Sequence, residues 1–252
     1  MAKIISFGIQ KGGCGKTTSS GITAYLLSQH QKVLAVDLDS QGNLTELLTQ
    51  TDIYDFTGST VLEALKEQDA SDYIYPLTDN LHILTAEDLL ATFSRYLYTE
   101  FRGNKALVLK QTLQKVENHY DYIIIDTPPA LGDQTINALA ASDAVVIMFE
   151  TSKFCYSALS RFVETVGHAQ DKLNPNLKIA GILRTLIDNR RSDAKAFIEL
   201  VEEEYPNYPF HTIINRKAAT GRIPIHGLTE NPEINQAIDQ YHDFVQELIQ
   251  RV

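Results

Sequence analysis

The chain has 252 residues, 44% of them hydrophobic, and a formal net charge of −10; that size and composition suit one core burying about three quarters of the unfolded surface. The acidic balance excludes a protein that coats nucleic acid over its whole surface. No apolar stretch approaches the roughly 18 residues of a membrane span, Lys3 and an early strand argue against a signal peptide, and Cys14 and Cys155 give neither a disulfide framework nor metal-ligand spacing, so a cytoplasmic protein is expected.

Taken in order, the hydrophobic pattern predicts strands over Lys3–Ile9, Lys32–Asp37, Leu81–Thr85, Tyr122–Asp126, Ala144–Phe149, Ile179–Arg184 and Pro209–Ile214. Between and after them it predicts helices over Thr17–Gln29, Thr60–Lys66, Ala106–Asn118, Gln134–Ala141, Tyr156–Lys172, Ser192–Glu204 and Pro232–Arg251. Runs such as Ile123-Ile124-Ile125 and Val145-Val146-Ile147 are continuously apolar, as strands covered on both faces should be. The expected fold is α/β: a doubly wound, mostly parallel sheet of about seven strands with helices on both faces, forming one domain over residues 1–252. A first strand starting near Lys3 leaves no room for an N-terminal helix-turn-helix domain.

The first strand runs into Gln10-Lys11-Gly12-Gly13-Cys14-Gly15-Lys16-Thr17-Thr18, and a helix follows. Strand, glycine-rich turn and helix make a phosphate-binding loop: glycines let several N–H groups converge, and the helix adds the positive end of its dipole. Lys16 would lie along the β- and γ-phosphates, Thr17 would complete the shell of a bridging Mg²⁺, and Thr18 would bond the α-phosphate. Gln10 stands where a glycine is usual, and Lys11 follows it. A second lysine would crowd Lys16 if it pointed inward, so Lys11 is expected to point outward, toward the nucleotide of another subunit. Cys14 reads as a small side chain inside the loop, with a redox-sensitive thiol the lesser reading.

This Lys-Gly-Gly-x-Gly-Lys-Thr-Thr run resembles the deviant Walker A loop of the ParA/Soj/MinD family of dimerising ATPases, which are P-loop NTPases of the SIMIBI-like kind. Two acidic segments extend the resemblance. Asp37-Leu38-Asp39-Ser40-Gln41-Gly42-Asn43 is similar to the family's Asp-x-Asp-Pro-Gln-Gly-Asn, with Ser40 in place of proline. The family's water-positioning aspartate maps onto Asp39, which also enters the expected Mg²⁺ set, while Asp37 supports the metal shell or the loop. Ile123-Ile124-Ile125-Asp126-Thr127-Pro128-Pro129 reads as a Walker B strand, and Asp126 would hold Mg²⁺ through a water opposite Thr17. Thr135-Ile136-Asn137-Ala138-Leu139 also matches the family, so the resemblance is specific from Lys3 to about Thr151.

Beyond Thr151 the match is looser. Gly181–Arg190 resembles the strand and loop near the base and dimer interface, and Ile213-Ile214-Asn215-Arg216-Lys217 stands where relatives often have Ile-Pro-Arg-Asn. The resemblance places adenine contacts at Thr185 and around Ile214 and Asn215. Of nine arginines only Arg95 and Arg102 precede residue 151, so any polyanion surface should be local and C-terminal. Arg190, Arg191, Arg216, Lys217 and Arg222 are the expected DNA contacts; Arg190 and Arg216 align with the family's basic positions, whereas Ala219 falls where relatives often carry arginine.

The resemblance implies an ATPase using ATP and Mg²⁺ and forming a homodimer when ATP-bound. The expected output is DNA partitioning: non-specific binding of double-stranded DNA, a cytoplasmic, nucleoid-associated location, and release when a ParB-like centromere-binding adaptor stimulates slow hydrolysis. The alternatives are a MinD-like or other ParA-type positioning ATPase acting on a membrane or protein assembly, and a metal-cluster carrier. The final helix puts Ile234, Ala237, Ile238, Tyr241, Val245, Leu248, Ile249 and Val252 on one stripe, but Asp239, Asp243 and Glu247 make its polar face acidic, which anionic lipid would repel. The stripe is expected to pack on the sheet, with no membrane partner. A cluster carrier needs cysteines facing across a dimer axis, and Cys155 is the sole candidate.

Overall fold

The computed structural model describes residues 1–187, 192–228 and 232–252. One sheet runs through the molecule in the order β3-β4-β2-β5-β1-β6-β7-β8. Its strands are β1 (Lys3–Gly8), β2 (Val33–Asp37), β3 (Ile74–Pro76), β4 (Leu81–Leu84), β5 (Tyr122–Asp126), β6 (Ala144–Glu150), β7 (Lys178–Ile187) and β8 (Pro209–Asn215). All neighbouring pairs are parallel except β3 with β4. The fold class is therefore α/β with a mostly parallel sheet, as the sequence predicted. The eighth strand, β3, was not expected: three residues ending in Pro76 carry little periodic signal, and proline confines such a segment to a sheet edge.

Helices cover both faces. One face receives α1 (Lys16–Ser28), α2 (Asn43–Thr49) and α10 (Pro232–Arg251); the other receives α3 (Val61–Glu67), α4 (Phe93–Thr99), α5 (Val108–Gln114), α6 (Asp133–Ala141) and α7 (Lys153–Lys172), whose Phe162 lies against Gly8 on the side of β1 away from Phe7 and Phe244. α8 (Ser192–Glu204) and the single turn α9 (Ile223–His226) complete the set among the described residues. Strand alternation sorts the core: Ile5, Phe7 and Ile124 point to the face covered by α1 and α10, whereas Ile4, Ile123 and Ile125 join the α3/α5 cluster on the other. A helix predicted over 106–118 is instead α5 flanked by 3₁₀ turns at Lys105–Leu107 and Glu117–His119, and α2 and α4, each seven residues long, were missed.

The last helix packs as its pattern required. Ile234, Ala237, Ile238, Tyr241, Val245 and Leu248 are buried, and only Ile249 of the core stripe is exposed, at 38%. Phe244 stacks edge-on against Phe7 and Phe210, with centroids 6.3 and 5.0 Å apart, and Tyr241 shares a 3.1 Å hydrogen bond with Ser19 of α1. Each such buried aromatic contributes about 1.5–3 kcal/mol by leaving water.

Topology then fixes where a ligand can sit. β1 lies between β5 and β6, and the connection leaving β1 crosses one face through α1 while that leaving β5 crosses the other through α6, which opens a crevice at the carboxyl end of β1. β2, β5 and β1 are in register there, Asp37 pairing with Asp126 and Phe7 with Asp126. Two carboxylates thus reach the same edge as the glycine loop.

Candidate functional site

At that edge a cavity of about 430 Å³ is lined by Gly12, Gly13, Gly15, Lys16, Thr17, Thr18, Asp39, Gln41, Asn43, Glu46, Leu47 and Pro129. The loop that walls it is set by two glycines in the left-handed region, Gly13 and Gly15, each at φ +75°, a conformation that side chains rarely adopt. Gly15 caps α1 without any side-chain hydrogen bond, so the first-turn N–H groups of the helix, which have no partner within it, open on the cavity. Such an end attracts anions through its donors and its dipole.

Lys16 is 7% exposed, and its ammonium donates to the Lys11 carbonyl at 2.9 Å, spanning the mouth of the loop. Lys11 is not part of the cavity wall; its ammonium rests on the Gly12 carbonyl at 3.2 Å, at the exposed rim. Cys14 turns away from the cavity into the core, where its sulfur lies 3.5 Å from that of Cys155. The two cysteines therefore meet inside one chain.

Below the loop, Thr17 donates its hydroxyl to Asp126 Oδ2 at 2.6 Å. Asp126 is fully buried, and its Oδ1 has no hydrogen-bond partner. Burial, reinforced by the charge of Asp37, pushes the Asp126 carboxyl up to about 7. Asp37 is also buried and pushed up to about 7 by desolvation, against the pull of the Thr45 N–H and hydroxyl, each 2.9 Å from Oδ2. Asp37 thereby anchors the start of α2, and its Oδ1 accepts the Asp39 N–H at 3.1 Å. Thr45 passes the chain of bonds on by accepting from the Ala86 N–H at 2.9 Å. Asp39, by contrast, reaches the cavity wall and accepts from the Gln41 N–H at 3.1 Å.

This donor set fits a hard divalent cation. Among the described residues no group of three or more His, Cys, Asp or Glu could hold a metal alone, which is what Mg²⁺ tolerates, since it takes one or two carboxylates together with substrate oxygens. The orphan Asp126 Oδ1 beside the Thr17 hydroxyl is the atom such an ion would satisfy.

The remaining expected site residues lie outside the cavity. Thr185, 1% exposed, donates its hydroxyl to the Cys14 carbonyl at 2.8 Å and so braces the loop from behind. Next to it Leu186 takes φ +55° at a bulge of β7 and sets its side chain against Gly15. Asn215 is tied to α10, its N–H and side-chain amide both donating to Gln240 Oε1 at 2.8 and 3.0 Å. Arg190 and Arg191 lie outside the described residues. Arg216 is exposed, and its N–H donates to the Ile187 carbonyl at 3.0 Å, which places it beside the end of β7. Lys217 donates to the Gln236 carbonyl at 2.9 Å, and Arg222 pairs with Glu233 at 2.8 Å. Sequence reasoning gave no role to Glu46, Leu47 or Thr45, because α2 was not foreseen; the signal available was the Asp37–Thr45 spacing across a glycine at Gly42, which takes φ +63°.

Comparison with known proteins agrees with this geometry. The family model described as AAA domain matches residues 2–179. Sporulation initiation inhibitor protein Soj of Bacillus subtilis is 37% identical over 231 residues, covering 90% of this chain and 89% of that protein. The chromosome-partitioning ATPase Soj of Treponema pallidum is 35% identical, covering 90% and 88%. Among solved structures, the McdA–ATP complex from Cyanothece superposes with a TM-score of 0.86 at 26% identity, covering 99% of this chain and 96% of that one. Cobyrinic acid a,c-diamide synthase from Mycobacterium smegmatis, with bound ADP and magnesium, gives a TM-score of 0.83 at 29% identity, covering 99% and 95%.

Proposed function

This chain belongs to the ParA/Soj family of ATPases, and we propose that it is an ATP-dependent dimerising ATPase that partitions DNA, binding duplexes without sequence preference when ATP-bound. The observation that carries the reading is the joint under the glycine loop, where Thr17 Oγ1 meets Asp126 Oδ2 at 2.6 Å beside the uncapped start of α1. A triphosphate lying along Gly12–Thr18 receives the loop's N–H groups, with Lys16 leaving the Lys11 carbonyl for its β- and γ-oxygens. The backbone N–H donors of the loop are set before the ligand arrives, so they meet charge developing on the phosphoryl group without reorganisation. Thr17 and Asp126, with Asp39 beside them, would hold a Mg²⁺ ion, which would supply positive charge against the phosphate oxygens. Asp39 orients the attacking water from the cavity wall. Lys11, at the rim, is free of that wall and extends to the phosphates of a facing protomer. Because each site is incomplete until two protomers close, intrinsic turnover is slow, and a ParB-like adaptor docking at the dimer accelerates it.

Arg216, together with Arg190, Arg191, Lys217 and Arg222, supplies the duplex-binding face. A dimer neutralising about four to eight phosphates gives a slope of log affinity against log salt of roughly −4 to −7. Two observations weigh against the other outputs. The apolar stripe of α10 is spent on the sheet, leaving an acidic face for a lipid surface to repel. The cysteines, which a cluster carrier would present across a dimer axis, meet within one protomer. The test is binding to arbitrary duplex DNA and to anionic liposomes with ATP, with ADP and without nucleotide. DNA binding confined to the ATP state supports partitioning; liposome binding in its place overturns it.

A further inference from the structure

Cys14 and Cys155 are 141 positions apart in the chain, yet their sulfurs are 3.5 Å apart and neither residue is exposed. Cys155 is the fixed partner: it lies in the first turn of α7, its N–H donates to Ser152 Oγ at 3.3 Å, and its sulfur accepts the Glu150 N–H at 3.3 Å. Cys14 is the adaptable one, set between Gly13 and Gly15 in the phosphate loop. A disulfide bond of about 2.05 Å needs an approach of about 1.5 Å, and the glycine-flanked side can supply it. The two thiols are also chemically unequal. The hydrogen bond from Cys155 lowers the Cys14 thiol against the effect of burial, and the charges of Lys16 and Lys11 lower it further. The same hydrogen bond, with burial, raises Cys155. Cys14 is thus the better nucleophile and Cys155 the resolving thiol.

We propose that Cys14 and Cys155 form a reversible intramolecular disulfide that shuts the nucleotide site. With a hydroperoxide as oxidant, the Cys14 sulfur attacks the outer peroxide oxygen, the O–O bond breaks, and Cys14 becomes a sulfenic acid while an alcohol or water leaves. The Cys155 sulfur then attacks the Cys14 sulfur, the S–O bond breaks, and hydroxide departs with the Cys155 proton as water. Two thiols have lost two electrons and the peroxide has gained them. Since neither sulfur meets solvent, the first step waits on opening of the loop, and bound nucleotide slows it. The bond draws Cys14 toward α7, off the position in which its carbonyl accepts from Thr185 at 2.8 Å, and the loop's N–H groups no longer converge.

The loss of nucleotide binding rests on the triphosphate reading above; the bond itself does not. The purified protein is treated with hydrogen peroxide, alkylated and digested with trypsin without reductant. The expected product is peptide 12–16 joined to peptide 154–161, with ATP affinity lowered at least tenfold, restored by dithiothreitol, and formation slowed by prior ATP and magnesium. Cys155→Ser should bind ATP as the reduced wild type does and keep that affinity after peroxide. Absence of the joined peptide from the wild type overturns the disulfide, and an oxidised protein that binds ATP within twofold of the reduced form overturns the closure. If reduced wild type binds no ATP, the nucleotide reading and the closure fail together while the joined peptide still decides the bond.

Discussion

Asp126→Asn separates the electrostatic cost of the site from its use. The carboxyl of Asp126 is carried from an ordinary 3.8 to about 7 by burial and by Asp37. That displacement corresponds to roughly 4 kcal/mol. A raised acid favours the protonated folded state, so its stability is present below about pH 4 and is lost as pH rises toward 7 and beyond. Part of the cost belongs to Asp37, which faces the same edge, and the unpartnered N–H of the new amide costs about 1–3 kcal/mol. The net gain at pH 8 without nucleotide is therefore about 1–2 kcal/mol, a rise of roughly 2–8 °C in melting temperature for a chain of this size. Differential scanning fluorimetry from pH 4 to 8 reads it: the variant gains on the wild type only toward alkaline pH. With ATP and magnesium the order reverses, because wild type gains ligand stabilisation and the variant has lost the carboxylate. A variant that melts below wild type at pH 8 without nucleotide, or one that keeps the magnesium-dependent rise, refutes the assignment.

Other substitutions probe separate parts of the site. Thr185→Val removes the bond to the Cys14 carbonyl and leaves that acceptor buried, so ATP affinity should fall by about 1–2 kcal/mol, roughly 5–30-fold by isothermal titration calorimetry. Asp39→Ala should retain ATP binding and trap an ATP-bound dimer, with phosphate release reduced at least a hundredfold; normal turnover would remove Asp39 from water positioning. Arg216→Glu combined with Arg190→Glu and Arg191→Glu should abolish ATP-dependent DNA binding in a filter assay while sparing the dimer, and retained binding would move the interface elsewhere. Phe244→Ala, which empties the junction of Phe7, Phe210 and Tyr241, should cost about 3–5 kcal/mol in urea unfolding.

Legibility followed the strength of local constraint. The seven predicted strands were long apolar runs or sat beside glycine turns, and all appear; β3 was hidden because three edge residues ending in Pro76 carry no period. Helix α2 was hidden because its start is held from afar, by Asp37 accepting from Thr45, rather than by a side-chain cap of its own. The glycine loop, Asp39 and Asp126 could be placed from sequence since the chemistry dictates residue types at strand ends. What sequence could not give was pairing across distance. Asp37 was expected to support either the metal shell or the loop, and only the fold shows the Thr45 contact by which it is buried as an anchor while Asp39 reaches the cavity. Thr185 looked like a base contact and is found bracing the loop, and Cys14 and Cys155, unremarkable singly, are neighbours.

Light scattering of the wild type and Lys11→Ala, each with saturating non-hydrolysable ATP analogue and magnesium, bears most directly on nucleotide as the bond between protomers. The wild type should double its mass from 28.2 kDa, while the variant binds nucleotide and stays at the single-chain mass. A wild type that remains monomeric, or a variant that pairs equally well, would contradict it.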